Sequence, residues 1–113
     1  MTAEQQALIW QADVTHPKLA GDAKEALRDV VDPELGLNII ELGLIRDMTL
    51  DDEKAHVVMI LTTPFCPYGP ALLEMARKKV EDTLLITTTI EVGMQMWEPT
   101  MMEEGVGADW GLF

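Results

Sequence analysis

Ala23, Ala26, Leu27 and Val30 recur at i, i+3, i+4 and i+7, the spacing of one apolar stripe on an α-helix. Asp22 just ahead of them is a favourable N-cap, and Glu25 three residues on completes a capping-box pattern. Pro33 stops this helix near Val31, because the residue before a proline is pushed out of the α region. Upstream, Glu4 to Ala12 with Leu8, Ile9 and Trp10 has the length for one or two helical turns peripheral to the main fold. Thr15-His16-Pro17 then reads as a break.

Asp32 to Gly43 is a loop punctuated by Pro33, Gly36, Asn38 and Gly43. The pattern then predicts a strand over about Leu44 to Leu50, with Leu44, Met48 and Leu50 on one side. Asp51-Asp52-Glu53-Lys54 is the polar connection of a hairpin. Ala55 to Leu61 is nearly all apolar and rich in β-branched residues, as a central strand is.

A second helix is predicted from about Pro70 to Asp82. Gly69 serves as its cap, and Pro70 suits the first helical position because its missing N–H would be unpaired there anyway. Leu72, Leu73, Ala76 and Val80 form its buried face, and Glu74 and Lys78 stand at i, i+4 for an ion pair. The last strand alternates most cleanly. Ile86, Ile90, Val92, Met94 and Met96 fall on one side, and Thr87, Thr89, Glu91, Gln95 and Trp97 on the other. The order helix–strand–strand–helix–strand predicts an α+β fold, a two-layer α/β sandwich. Its small three-stranded mixed sheet carries helices on one face, and the unit around the second helix makes a parallel pair.

Composition narrows the partners. Eight Lys and Arg against 20 Asp and Glu give a net charge of −12 across 113 residues. So acidic a chain disfavours nucleic acid, whose binding draws on Lys and Arg contacts to phosphates, and it disfavours anionic membrane surfaces. No apolar run approaches the roughly 18 residues of a membrane span. The start, Met1-Thr2-Ala3-Glu4-Gln5-Gln6, lacks the basic region and apolar core of a secretory signal, so the expected location is the cytoplasm. The single cysteine excludes an intramolecular disulfide.

That cysteine, Cys66, lies in Thr62-Thr63-Pro64-Phe65-Cys66-Pro67-Tyr68-Gly69-Pro70, between the central strand and the second helix. A helix entrance carries partial positive charge, which favours the thiolate that binds metal or attacks an electrophile. Prolines 64, 67 and 70 restrict the turn. The competing reading is a buried cysteine that simply packs. Thr62 and Thr63 can hydrogen-bond a thiolate, a ligand or the loop itself. Asp32 and Glu34 flank Pro33 as two acids around a rigid joint, either solvated at a helix stop or aimed toward the cysteine loop. His16 and His56 read as structural or surface residues, and Met94, Met96, Met101 and Met102 with Trp97 as core or interface. No Cys-x-x-Cys, His-Glu-x-x-His, Gly-x-Gly-x-x-Gly or Gly-x-Ser-x-Gly occurs, which argues against common zinc, nucleotide and serine-hydrolase sites.

Three blocks carry a resemblance. They are Val31-Asp32-Pro33-Glu34-Leu35-Gly36-Leu37-Asn38-Ile39 with Glu41-Leu42-Gly43-Leu44; Leu61-Thr62-Thr63-Pro64 with Cys66-Pro67 and Gly69-Pro70; and Trp97-Glu98-Pro99 with Met101-Met102-Glu103-Glu104. Together they resemble the metal–sulfur cluster assembly domain family, which includes PaaD-like and SufT-like proteins, over about Asp22 to Glu104. The resemblance implies a compact α/β domain, often dimeric, that acts in maturation or transfer of iron–sulfur clusters. Position by position, it makes Cys66 the cluster-related thiol and Asp32, Glu34, Thr62 and Thr63 the polar residues around it. The tail departs from the pattern: family members commonly carry a second Pro-Trp pair and a longer stretch after the position of Pro99. The organisation expected is a peripheral segment over 1–17, the assembly-like domain over 18–104 and a tail over 105–113.

Stable clusters usually take about four protein thiolates or substitutes, so one cysteine per chain leaves a labile shared cluster, passage of cluster ions to a client, or recruitment of a client without iron. The favoured expectation is a non-enzymatic assembly or transfer factor. Its cofactor would be a labile iron–sulfur cluster on Cys66, completed by a second chain of a homodimer or by a client. Its partners would be client iron–sulfur apoproteins or other assembly proteins. An adaptor subunit of a multicomponent enzyme of the aromatic-acid degradation type is the alternative. A thiol enzyme, with Cys66 as nucleophile and an acid or Thr63 assisting, ranks third because no histidine base accompanies it in sequence.

Overall fold

Residues 10–51, 53–63 and 67–103 are described in a computed structural model of the chain. Cys66, Pro64 and the tail beyond Glu103 lie outside the described residues. Helix α1 spans Gln11–Thr15 and α2 Pro17–Leu27; strands β1 (Ile45–Leu50) and β2 (Lys54–Met59) follow, then α3 (Gly69–Leu84) and β3 (Thr87–Val92). A single 3₁₀ turn at Pro99–Met101 closes the described chain.

The sheet is three-stranded and mixed, in the order β1-β2-β3. β1 pairs antiparallel with β2, from Leu50 opposite Ala55 to Ile45 opposite Met59, with an irregularity between Ile45 and Asp47. β3 pairs parallel with β2, from Thr87 beside Lys54 to Val92 beside Met59. A parallel pair needs a crossover, and α3 supplies it. Met48, Leu50, Ala55, Val57 and Met59 are buried on one face of the sheet, against the core that Ala20, Ala23, Leu27, Leu72, Ala76 and Val80 of the helices also line. The other face is polar: His56 shares short hydrogen bonds with Thr89 Oγ1 and Glu91 Oε1, each 2.7 Å. The α+β class and the mixed sheet are those predicted from the pattern.

Several boundaries differ, each for a physical reason. The first long helix starts at Pro17, whose ring occupies the first-turn position, so Asp22 is an exposed mid-helix residue 3.5 Å from Lys18 Nζ and not an N-cap. It ends at Leu27, well before Pro33. The N–H groups of Arg28, Asp29 and Val30 bond three residues back, which tightens the last turn, and the Val30 carbonyl is taken by the Ile39 N–H at 2.9 Å. Trp10 and Ala12, which the pattern alone set apart from the main fold, are core residues, exposed by 2% and 0%. Glu74 pairs with Arg77 at 2.6 Å, and Lys78 with Asp82 at 3.8 Å, in place of the Glu74–Lys78 pair.

The alternation expected to run through Trp97 stops at Val92. Gly93 N–H bonds the Met59 carbonyl at 2.8 Å, and a Cβ there would press on Val58 and Ile60 at 3.0 and 3.1 Å. Beyond it Met94 and Met96 are 98% and 78% exposed, while Trp97 packs on the core. No helix among the described residues is long and apolar enough to cross a membrane.

Candidate functional site

The Asp32 loop is built by its own backbone. Gly36 adopts φ +72°, a left-handed conformation in which a side chain is strained. Its N–H bonds the Asp32 carbonyl at 2.8 Å, the Asp32 N–H bonds the Leu37 carbonyl at 2.9 Å, and Val31 bridges to Asn38. Asp32 is 1% exposed, and its Oδ1 accepts the Glu34 N–H at 2.8 Å, so the carboxylate secures the turn through Pro33. Glu34 itself is exposed. Asn38 and Glu41 then cap each other: Asn38 N–H donates to Glu41 Oε1 at 3.0 Å, and Glu41 N–H to Asn38 Oδ1 at 2.7 Å.

A chain of backbone hydrogen bonds carries this loop to the end of β2. Ile39 N–H bonds the Val30 carbonyl, Leu44 N–H the Ile39 carbonyl at 3.0 Å, and Ile60 N–H the Leu44 carbonyl at 2.8 Å. Thr62 and Thr63, both half-buried, follow Ile60 and Leu61 directly. Pro67 and Tyr68 then enter α3, where Gly69 is buried and packs so closely on Leu61 that a Cβ would lie 2.7 Å from its Cδ1. Tyr68, the N-cap residue of α3, makes no side-chain capping bond among the described residues. The helix dipole lends positive potential to the start of α3 at Gly69. Of the predicted site residues, Asp32, Glu34, Thr62 and Thr63 belong to two loops joined at one end of the sheet. Cys66 falls between Thr63 and Pro67 in sequence, outside the described residues.

The third block reaches the same end from the opposite edge. After Gly93 the chain passes beyond β2 to β1, where Gln95 Oε1 accepts from Arg46 Nε at 3.1 Å and Arg46 Nη1 donates to the Gly43 carbonyl at 3.0 Å. Burial lowers the affinity of the Arg46 guanidinium for its proton. Trp97 Nε1 donates to the Leu42 carbonyl at 2.7 Å, and Glu103 N–H to the Glu41 carbonyl at 2.8 Å. Glu103 finally meets Arg28 at the end of α2 through two hydrogen bonds of 2.8 and 2.6 Å. Gly43, at φ +73°, has the Met101 backbone carbonyl where a Cβ would stand. This strap, residues 93–103, is the part of the site that residue-by-residue reading missed. The bonds that fix it join positions far apart in sequence, Leu42 with Trp97 and Arg28 with Glu103.

Among the described residues no group of three or more His, Cys, Asp or Glu side chains converges as a metal site. What the end of the sheet offers, among the described residues, is the Asp32 loop, the Thr62-Thr63 exit from β2, the entrance of α3 and the strap.

The iron–sulfur cluster assembly protein family matches this chain over residues 21–92, which takes in the first two blocks. The Bacillus subtilis Fe-S protein maturation auxiliary factor YitW is 39% identical over 75 residues, 66% of this chain and 72% of that protein. The Staphylococcus aureus Fe-S protein maturation auxiliary factor SufT is 38% identical over 71 residues, 62% of this chain and 78% of that protein. In fold, the chain superposes on the crystal structure of a DUF59 domain of unknown function from Bacillus anthracis with a TM-score of 0.77. That match covers 88% of this chain and 98% of that one at 23% identity. By sequence match and by the placing of the blocks that carry it, the chain belongs to the iron–sulfur cluster assembly protein family.

Proposed function

We propose that this protein assists the maturation of iron–sulfur proteins by handing a cluster to client apoproteins through Cys66. The observation that carries the reading is the joining of the Asp32 loop, the Thr62-Thr63 segment and the strap at the end of β2, beside the N-terminus of α3. The relatives named as Fe-S protein maturation auxiliary factors support a part in iron–sulfur protein maturation. The cluster is cargo in this reading. A single thiolate per chain leaves about three further ligands to another molecule, a client, an assembly protein or a second copy of this chain. Transfer is then ligand exchange without redox change: an iron–thiolate bond to Cys66 breaks as one to a client cysteine forms. Thr62 and Thr63 supply hydroxyls to the turn, Asp32 fixes the neighbouring loop, and the exposed Glu34 tunes its charge. No bond-making catalytic step is assigned to the chain.

The test pairs anaerobic reconstitution with client activation. The wild-type protein, given ferrous iron and sulfide, should develop visible cluster absorbance and activate an apo-client. Cys66→Ala and Cys66→Ser should keep the fold by circular dichroism and lose both. Full client activation by a folded Cys66→Ala protein would overturn the role given to the thiol.

A further inference from the structure

Each edge strand of the sheet is engaged at its start. On the β1 edge, Trp10 Nε1 donates to the Ile45 carbonyl at 3.2 Å, and the Asp47 carboxylate accepts from the Gln11 N–H at 2.9 Å and from Gln11 Nε2 at 3.1 Å. Trp10 and Gln11 thereby engage the Ile45–Asp47 start of that edge. On the β3 edge only the start is covered: Thr88 N–H donates to Glu81 Oε2 at 3.0 Å, and the Thr88 carbonyl accepts from Arg77 Nη1 at 3.4 Å.

Backbone groups along a strand turn alternately to its two sides. Thr88 faces away from β2, and Gly93, five residues on, bonds β2 through the Met59 carbonyl. Ile90 and Val92 share the parity of Thr88, so their N–H and C=O groups also face outward. Among the described residues, nothing outside the β2–β3 ladder bonds them. Unpaired edges are templates for another strand, and proteins usually blunt them with lysine, proline or a bulge. Thr87–Val92 holds no lysine or proline, and its register with β2 is continuous.

The chemistry beside this edge says what fits it. Leu85, Val92 and Met94 are 88%, 52% and 98% exposed, so an apolar strip accompanies the open backbone. Between Leu85 and Glu98 the only charged residues are Glu91 and Glu98, both acidic and exposed, on a chain of net charge −12. A second copy would bring like charges together along the joint, which disfavours self-pairing. A segment alternating Lys or Arg with apolar β-formers would meet Glu91, whose Oε1 is shared with His56 Nε2, with opposite charge, and Val92 and Met94 with apolar side chains. We infer that the Ile90–Met94 edge takes up an extended basic segment of a partner protein as a fourth strand. The end of β3 is also the end where the strap leaves, so the partner is seated beside the Asp32 and Thr62 loops. This docking site stands whether or not Cys66 carries a cluster.

Val92→Pro isolates the claim. It deletes an N–H that no bond of the fold uses, proline is tolerated on edge strands, and Glu91 before it is already extended. The probe is a short synthetic peptide of alternating lysine and valine, followed by fluorescence anisotropy and by amide hydrogen exchange on the full chain. Wild type should bind it with new protection at Ile90 and Val92, and Val92→Pro should weaken binding by about tenfold. The glutamate–valine counterpart should bind at least about tenfold more weakly than the lysine–valine peptide. Glu91→Lys, which leaves the backbone intact, should reverse the preference between the two peptides and decides the matter if Val92→Pro does not fold. Equal binding by wild type and Val92→Pro, protection elsewhere, no binding of either peptide, or self-association abolished by Val92→Pro would each overturn the inference.

Discussion

The guanidinium of Arg28 grips the carboxylate of Glu103 through two parallel hydrogen bonds, Nη1 to Oε1 at 2.8 Å and Nη2 to Oε2 at 2.6 Å. Planar fork-to-fork geometry makes such pairs strong for their exposure, and this one ties the far end of the strap to the end of α2. Hydrogen bonding from Arg28, ahead of the coulombic attraction, holds the Glu103 carboxyl below the ordinary carboxylate range. A carboxylate whose pKa is depressed in the folded state stabilises that state above its unfolded pKa. The contribution is lost as pH falls through the folded value.

Glu103→Gln should therefore destabilise the protein at neutral pH by about 1 kcal/mol, the pair being partly solvated. The difference from wild type should vanish under strong acid, where wild-type Glu103 is itself protonated. Urea denaturation at a series of pH values checks this, and a difference independent of pH would contradict it.

Gly43→Ala should be among the most damaging single changes. A residue other than glycine at φ +73° carries a cost of about 1–2 kcal/mol, and the Met101 carbonyl occupies the space of the new methyl. A loss of at least about 2 kcal/mol is expected, with the strap displaced. Loss of protection from hydrogen exchange at Trp97 Nε1 and the Glu103 amide would report that displacement directly.

Asp32 separates a structural from a chemical role. Asp32→Ala removes the acceptor of the part-buried Glu34 N–H and should cost about 0.5–1.5 kcal/mol. Asp32→Asn keeps the acceptor and should stay within about 0.5 kcal/mol of wild type. A folded, stable Asp32→Asn protein that fails to activate client would mark the negative charge as functional. Retained activation would mark Asp32 as a builder of the loop.

Leu85 caps α3 in the left-handed conformation, φ 58°, with its side chain 88% exposed. Little apolar burial is lost on removing that side chain, whereas the strain of a Cβ there is relieved. Leu85→Gly should raise stability by up to about 1 kcal/mol, read as a higher urea midpoint.

Trp10 is buried, donates to the Ile45 carbonyl, and lies under the Lys24 ammonium at 4.7 Å. Trp10→Ala should cost about 3–5 kcal/mol. Trp10→Phe retains most of the volume but leaves the carbonyl unpaired, and should cost about 1–2 kcal/mol.

Much of this architecture was legible in the chain because its causes are local. The spacing of Leu72, Ala76 and Val80 fixes the buried face of α3, and the Pro70 position marks its start. Asp51 builds the hairpin turn by accepting the N–H groups of Glu53 at 2.9 Å and Lys54 at 2.7 Å, a contact within three residues. Its carboxyl is held below the ordinary range by those same bonds. The near-continuous apolar run from Ala55 marks β2 as the central strand, and the structure then buries Ala55, Val57 and Met59 on one face. The blocks around Asp32 and Thr62 could be identified by resemblance, though not brought together.

What only the tertiary structure decided lies in pairs far apart in sequence. Arg28 with Glu103, Leu42 with Trp97 and Gly43 with Met101 make the strap, and periodicity carries no information about partners tens of residues away. The same holds for Met94 and Met96, which continue an apolar alternation yet face solvent. Their strand loses its ladder at Gly93, where the chain leaves β3 and crosses beyond β2. Side-chain period sets a face only while a neighbouring strand holds the backbone, and it is the neighbour that the sequence does not name.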